Sequence, residues 1–225
     1  MKITNSFILN LTAFSLFFVS CCETSIVAQK EDVKTLQQYL LPLFSEAKIK
    51  FRSGSTQTAL MNYNKVTQKM VYLKNDKYFD VTNADAIDTI YLQNRKFVHY
   101  ENFFLELIPG CTMTFYVQNR SVLVSAGKPA GYGTTSQTSS ITSITSLQDG
   151  SGVYNLKLPD EYTVHPNPVY WIKINSTMLS FLTERQLSSI FPGKEKIIRQ
   201  FIKENKIKFS NQADLLRLIN HCAAL

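Results

Sequence analysis

Three histidines give the chain its most direct route to acid–base chemistry: His99, His165 and His221. Imidazole titrates near neutral pH without help from its surroundings, so it is the natural general base or acid. His99 falls in an alternating stretch that reads as a strand, and His165 in a loop punctuated by prolines. His221 lies near the end of a helical segment, where positive charge is favoured. A hydrolase needs such a group beside a nucleophile or an activated water. The sequence contains no Gly-x-Ser-x-Gly elbow and no His-Glu-x-x-His pair. Triads assembled from distant residues leave no linear trace. A secreted hydrolase-like enzyme using His99 or His165 with a carboxylate is therefore the second reading. A non-enzymatic binding or assembly module is the first, with an accessory of an outer-membrane protein as a further alternative.

The other candidate groups point to binding. Four cysteines fall in two groups, Cys21 with Cys22 and Cys111 with Cys222. Cys111 and Cys222 either pair in an oxidising compartment or stay as two small buried hydrophobes. Their spacing matches no metal motif. Residues 127–152 form a long polar stretch that opens Gly127-Lys128-Pro129-Ala130-Gly131-Tyr132-Gly133. A phosphate loop needs its glycine directly before Lys-Ser/Thr, and here Pro129 follows Lys128. What remains is either a hinge or a ligand loop, with Gly127, Lys128, Gly131, Tyr132 and Gly133 as the contacts. No cofactor motif is present and none is expected. Aromatic residues crowd 72–116, among them Tyr100, Phe103, Phe115 and Tyr116. They are either core and cross-strand pairs or a platform on one sheet face for sugar or peptide.

The first residues carry an address. Met1-Lys2 precedes a short, interrupted apolar run from Phe7 to Cys22, then small residues Ser25-Ile26-Val27-Ala28. That order is a secretory signal. Cleavage between Ala28 and Gln29 would release a periplasmic or secreted domain. Phe18-Val19-Ser20-Cys21 is also a loose lipobox, so Cys21 or Cys22 as a lipidated first residue is the competing reading. Acyl chains contribute about 0.8 kcal/mol per buried methylene, so that anchor to the outer membrane would be firm. An uncleaved anchor is the third option. No later stretch approaches the roughly 20 apolar residues that a spanning helix needs.

Charge narrows the partners. The chain carries a formal net charge of +7. Much of it lies beyond Glu184, where Lys and Arg outnumber acids and alternate with apolar positions at helical spacing. That is a solvated helix face rather than a nucleic-acid footprint. An anionic membrane surface, a polysaccharide or another envelope protein fits an exported basic domain better.

These groups must be positioned by short strands and a helical end. The fold class is α+β: an antiparallel meander, curled or flat, with a short N-terminal helix and C-terminal helices. Val33, Leu36 and Leu40 predict that first helix, broken near Pro42. Alternation, or apolar and aromatic content between turn signals, then predicts strands at 48–51, 58–63, 69–73, 78–81, 87–92, 96–100, 103–108, 113–117, 122–124, 154–158 and 169–174. Asn75-Asp76 reads as a hairpin turn, and Gln-Asn-Arg at 93–95 and 118–120 as shared turn chemistry based on asparagine. Thr183-Glu184-Arg185-Gln186 has capping-box form and Pro192-Gly193 stops that helix. Lys194–Asn205 and a helix capped by Ser210 or Asn211 follow. The organisation is thus a signal at 1–28, a mainly β region at 29–182 and a helical segment at 183–225 packed on it.

Particular runs resemble a group of uncharacterised exported proteins of Bacteroidetes-type bacteria. They are Ala59-Leu60-Met61-Asn62-Tyr63-Asn64, Met70-Val71-Tyr72-Leu73, Arg95-Lys96-Phe97-Val98, the segment from Gly131 to Ser140, and the tail from Phe191 to Cys222. The resemblance implies a cell-envelope address and a meander, and it carries no reaction or functional residues.

Overall fold

Short runs rich in apolar and aromatic residues, closed by tight turns, build one long antiparallel sheet. The computed structural model describes residues 37–125, 128–130, 134–136 and 162–225. Strands β1 (Ser45–Phe51), β2 (Thr56–Asn64), β3 (Lys69–Lys74) and β4 (Lys77–Asp80) form one run. A second run holds β5 (Ile87–Leu92), β6 (Arg95–Tyr100), β7 (Phe103–Ile108) and β8 (Thr114–Gln118). After β9 (Ser121–Ser125), β10 (Lys128–Ala130), β11 (Thr134–Ser136) and β12 (Tyr162–Pro166), the chain returns through β13 (Val169–Ile174) and β14 (Thr177–Phe181). The ten-stranded order is β14-β13-β8-β7-β6-β5-β1-β2-β3-β4, so among the described residues β4 and β14 are the edge strands. The sheet curls without closing. Phe104 donates its N–H to the Gln68 carbonyl at 3.4 Å, although four strands lie between β7 and β3 in the sheet order.

Register puts the main apolar set on the inner face. Ile49 stands opposite Ile90, Ile90 opposite Phe97, Met61 opposite Tyr72, and Ile108 opposite Phe115. A bulge at Lys50/Phe51 shifts the β1–β5 pairing, which lets Ile87 and Ile90 both point inward. Two main clusters result, besides a smaller one of Tyr39, Val71 and Leu123 on the opposite face of β3. One, around Met61, Tyr63, Ile90 and Phe97, fills the curl. The other, around Phe115, Ile172 and Phe181, is covered by the C-terminal helices. Between them lies a charged seam. Arg95 donates to both carboxylate oxygens of Glu106 at 3.0 and 3.2 Å, and Asn119 donates to Glu106 Oε2 at 2.7 Å.

The helices are α1 (Glu184–Ile190), α2 (Glu195–Glu204) and α3 (Gln212–Ala223). Thr183 caps α1 in a full capping box with Gln186, and Asn211 caps α3 by accepting from Ala213 and Asp214. Leu187, Ile198, Leu215 and Leu218 close over the second cluster. Among the described residues, no helix is long and apolar enough to cross a membrane.

Several expectations need correction. The N-terminal helix is not formed over the residues described: Gln37–Leu40 is a turn, and Tyr39 bridges Asn64 in antiparallel fashion. The cause is Asn62, whose side chain accepts from Leu41 N–H at 3.0 Å and donates to the Leu41 carbonyl at 2.8 Å. That captures the segment in a non-helical form on the sheet. Residues 31–36 lie outside the described residues. The stretch at 127–152 is not uniformly loop, since β10 pairs with β11 inside it. A strand at 162–166 pairs with β9, and one at 177–181 forms the sheet edge β14; neither was expected. The strand expected at 154–158 lies outside the described residues. At the first Gln-Asn-Arg, the left-handed residue is Gln93 rather than the asparagine, and the second copy carries no positive φ.

Candidate binding site

The β6–β7 hairpin has two chemically different faces. Its turn is made by Glu101, with φ +52°, and Asn102, which brings Tyr100 directly opposite Phe103. Alternation then sends Tyr100 and Phe103 to the outer face and His99 and Phe104 to the inner face.

On the outer face, Trp171 of β13 completes a triangle of rings. Centroids lie 5.8 Å apart for Tyr100–Phe103, 5.4 Å for Tyr100–Trp171 and 5.8 Å for Phe103–Trp171. Tyr116 stands opposite Trp171 across β8–β13, so a fourth ring shares the face. All four side chains are only half-buried. The indole N–H of Trp171 donates to Gln118 Oε1 at 3.1 Å, and the Gln118 amide donates in turn to Gln68 Oε1. Trp171 is therefore held by a polar relay as well as by ring contacts, each of which contributes about 0.5–1.5 kcal/mol. Burial and the neighbouring Glu101 carboxylate hold the Tyr100 phenol above its ordinary value, and burial does the same for Tyr116. Both hydroxyls stay protonated and able to donate at neutral pH. The arrangement offers flat apolar faces with fixed hydrogen-bonding groups at their margin. That suits a ligand with alternating C–H and O–H surfaces.

On the inner side, the hairpin lines a polar cavity of about 520 Å³ with Lys69, Asp80, Asp85, His99, Glu101 and Asn102. His99 Nδ1 lies 3.2 Å from Asp85 Oδ1, and its side chain is 10% exposed against 94% for Asp85. Lys69 Nζ meets the buried Asp80 carboxylate at 2.8 Å. An Nδ1–carboxylate contact leaves Nε2 as the basic ring nitrogen. Thr82 is the sole hydroxyl-bearing side chain among the residues lining the cavity. A base is present here without a strong nucleophile beside it.

The other sequence-derived candidates are dispersed. His165 lies on β12, its Nε2 3.0 Å from Thr163 Oγ1. His221 stacks on Phe201 with centroids 4.0 Å apart. Cys222 is buried in the helix-covered cluster and Cys111 packs against that cluster; both are free thiols whose burial pushes them up to about 11. Lys128 begins β10. Gly127, Gly131, Tyr132 and Gly133, the cleavage pair Ala28 and Gln29, and Cys21 and Cys22 lie outside the described residues. Among the described residues, no group of three His, Cys, Asp or Glu side chains is placed to hold a metal ion. Sequence reasoning missed the Trp171 relay and the Asp85 partner of His99. The abundance of aromatics was a signal for the platform; nothing linear marked Asp85.

No known protein family, curated protein or solved structure matches this chain. The fold and its sites therefore rest on their own geometry.

Proposed function

We propose that the protein is an exported, non-enzymatic binding module of the cell envelope, and that Tyr100, Phe103, Tyr116 and Trp171 form its platform for polysaccharide. The observation that carries this reading is the half-exposed ring triangle with its indole N–H fixed through Gln118. A core aromatic is fully covered, as Phe97 and Phe115 are on the inner face. These four rings expose surface that a sugar ring can cover, with hydrogen-bonding groups at the edge. The leader-like first residues support the export reading, released after Ala28 or held by a lipid on Cys21 or Cys22.

Trp171 is the single tryptophan of the chain, so its emission reports on the platform alone. Titration with soluble peptidoglycan fragments and neutral oligosaccharides should shift that emission saturably. Trp171→Ala or Tyr100→Ala should weaken binding at least about tenfold, the scale of losing one anchoring aromatic. An unchanged spectrum across the panel, with no binding by calorimetry, would sink the proposal.

The Asp85–His99 contact favours a second reading, a hydrolase-like activity with His99 as base. His99→Ala and His165→Ala separate the two: a hydrolytic activity that survives both substitutions does not use these histidines.

A further inference from the structure

The curled sheet does not fill its own mouth. Beside the polar cavity, and sharing Val81 and Thr82 with it as wall, lies a second cavity of about 520 Å³. Its walls are Ile49, Phe51, Ala59, Tyr72, Val81 and Ile87. Ile49, Phe51, Ala59 and Tyr72 belong by register to the inner face, where they continue the apolar cluster inside the curl. Phe51, Ala59, Tyr72 and Val81 are the members of that region left partly exposed. The volume lies within the range of about 300–1,000 Å³ that small-ligand cavities occupy.

The rim supplies the second half of the argument. Lys74 and Lys77 stand directly opposite each other across the β3–β4 hairpin, on the same face as Tyr72 and Phe79. Tyr72 and Phe79 stack with ring centroids 5.6 Å apart. Like charges opposed on a sheet destabilise it. Among the described residues neither lysine makes an ion pair, although Lys50 on β1, Lys69 at the far end of β3 and Arg95 on β6 each find a carboxylate. Lys74 is the one charged residue that lines the cavity, beside the polar groups Gln57, Thr58 and Asn83. A cavity with one largely apolar wall and Lys74 in its lining, with Lys77 opposite Lys74 across the hairpin, is complementary to one kind of molecule. We infer that this cavity binds a free single-chain anionic amphiphile: an aliphatic chain among Ile49, Tyr72 and Ile87, with a carboxylate between Lys74 and Lys77. This inference stands independently of the polysaccharide platform, which lies on the opposite face of the sheet.

The test is calorimetric titration of the delipidated full chain with octanoate, decanoate and dodecanoate below their micellar concentrations. One-to-one binding is expected, with affinity rising about fourfold for each added methylene. Lys74→Glu with Lys77→Glu should weaken dodecanoate at least tenfold and leave dodecanol unchanged; both side chains are exposed, so the fold is not at stake. Ala59→Trp should fill the chamber and abolish both ligands. Binding that ignores chain length, or a charge-reversed variant that binds dodecanoate as the parent does, overturns the inference. So does adsorption to phosphatidylglycerol vesicles with no uptake of free dodecanoate, because the anionic chemistry would then belong to a membrane surface.

Discussion

Glu106 sits where two apolar clusters meet on one sheet face, and its carboxylate has three hydrogen bonds to account for its burial. Removing the guanidinium leaves a carboxylate that is 10% exposed with Asn119 as its remaining side-chain partner. Arg95→Met should cost about 2 kcal/mol, below the full cost of stranding a buried charge because Arg95 itself is 40% exposed. Adding Glu106→Gln should restore part of that loss; urea midpoints of the two variants check both statements, and an additive double variant would contradict them. The buried phenol of Tyr63 reads the same seam: burial and then the Glu106 charge raise it. The two thiols give a pH dependence. Cys111 and Cys222 have folded values near 11 against an ordinary value of 9.0. Folding favours their neutral form, so this contribution is complete below about pH 9 and is lost as pH rises toward 11. At pH 8 the native thiols should react with Ellman's reagent far more slowly than those of the urea-unfolded chain. Equal rates would mean that neither thiol is protected.

Elements here are fixed by their ends as much as by their periodicity. Asn220 of α3 accepts from Thr112 N–H at 2.8 Å and donates to the Gly110 carbonyl at 3.0 Å, tying the β7–β8 turn to the last helix. Asn220→Ala should lose about 1–2 kcal/mol in thermal or urea melts. Gly110 tolerates its φ of +89°, so the turn should keep its shape and lose only its tether. The boundaries of α1 were legible because Thr183, Gln186 and Pro192-Gly193 each have a stated mechanism. Strands β5 and β7 were legible to the residue because turn residues end them, Gln93-Asn94 after β5 and Pro109-Gly110 after β7. Strand β12 was hidden because Pro166 reads as punctuation; at the end of a two-stranded ribbon its missing N–H costs little. Strand β14 was hidden because its turn uses Asn175 and Ser176 in left-handed conformation, with no glycine to announce it. The N-terminal helix failed for a different reason, since Asn62, more than twenty residues on, sets the backbone of that segment through its amide.

At the largest scale the described residues form a curled sheet whose two halves are covered by different means, one by its own curvature and one by helices. Deleting 183–225 would bare Phe115, Tyr170, Ile172 and Phe181 together. The shortened chain should partition into the insoluble fraction, whereas Thr183→Ala should remain soluble and lose about 1 kcal/mol. A soluble, monomeric truncation would show that the sheet does not depend on its helices. At this scale the sequence announced an antiparallel meander with helices at the end. It concealed the sites, because deciding which aromatics are covered and which are open takes the register of four strands, and Asp85 meets His99 from a separate turn. One strand carries a consequence in time rather than in space. β1 is the earliest strand of the sheet to be synthesised and it becomes an interior one, flanked by β2 and β5. Its first flank is satisfied as soon as β2 follows, while the second stays bare until Ile87 to Leu92 has been made. Throughout that interval the nascent chain exposes a row of peptide groups that any neighbouring copy can complete, guarded by Lys48 and Lys50. A newborn pair held too close together would exchange strands at this position before any other.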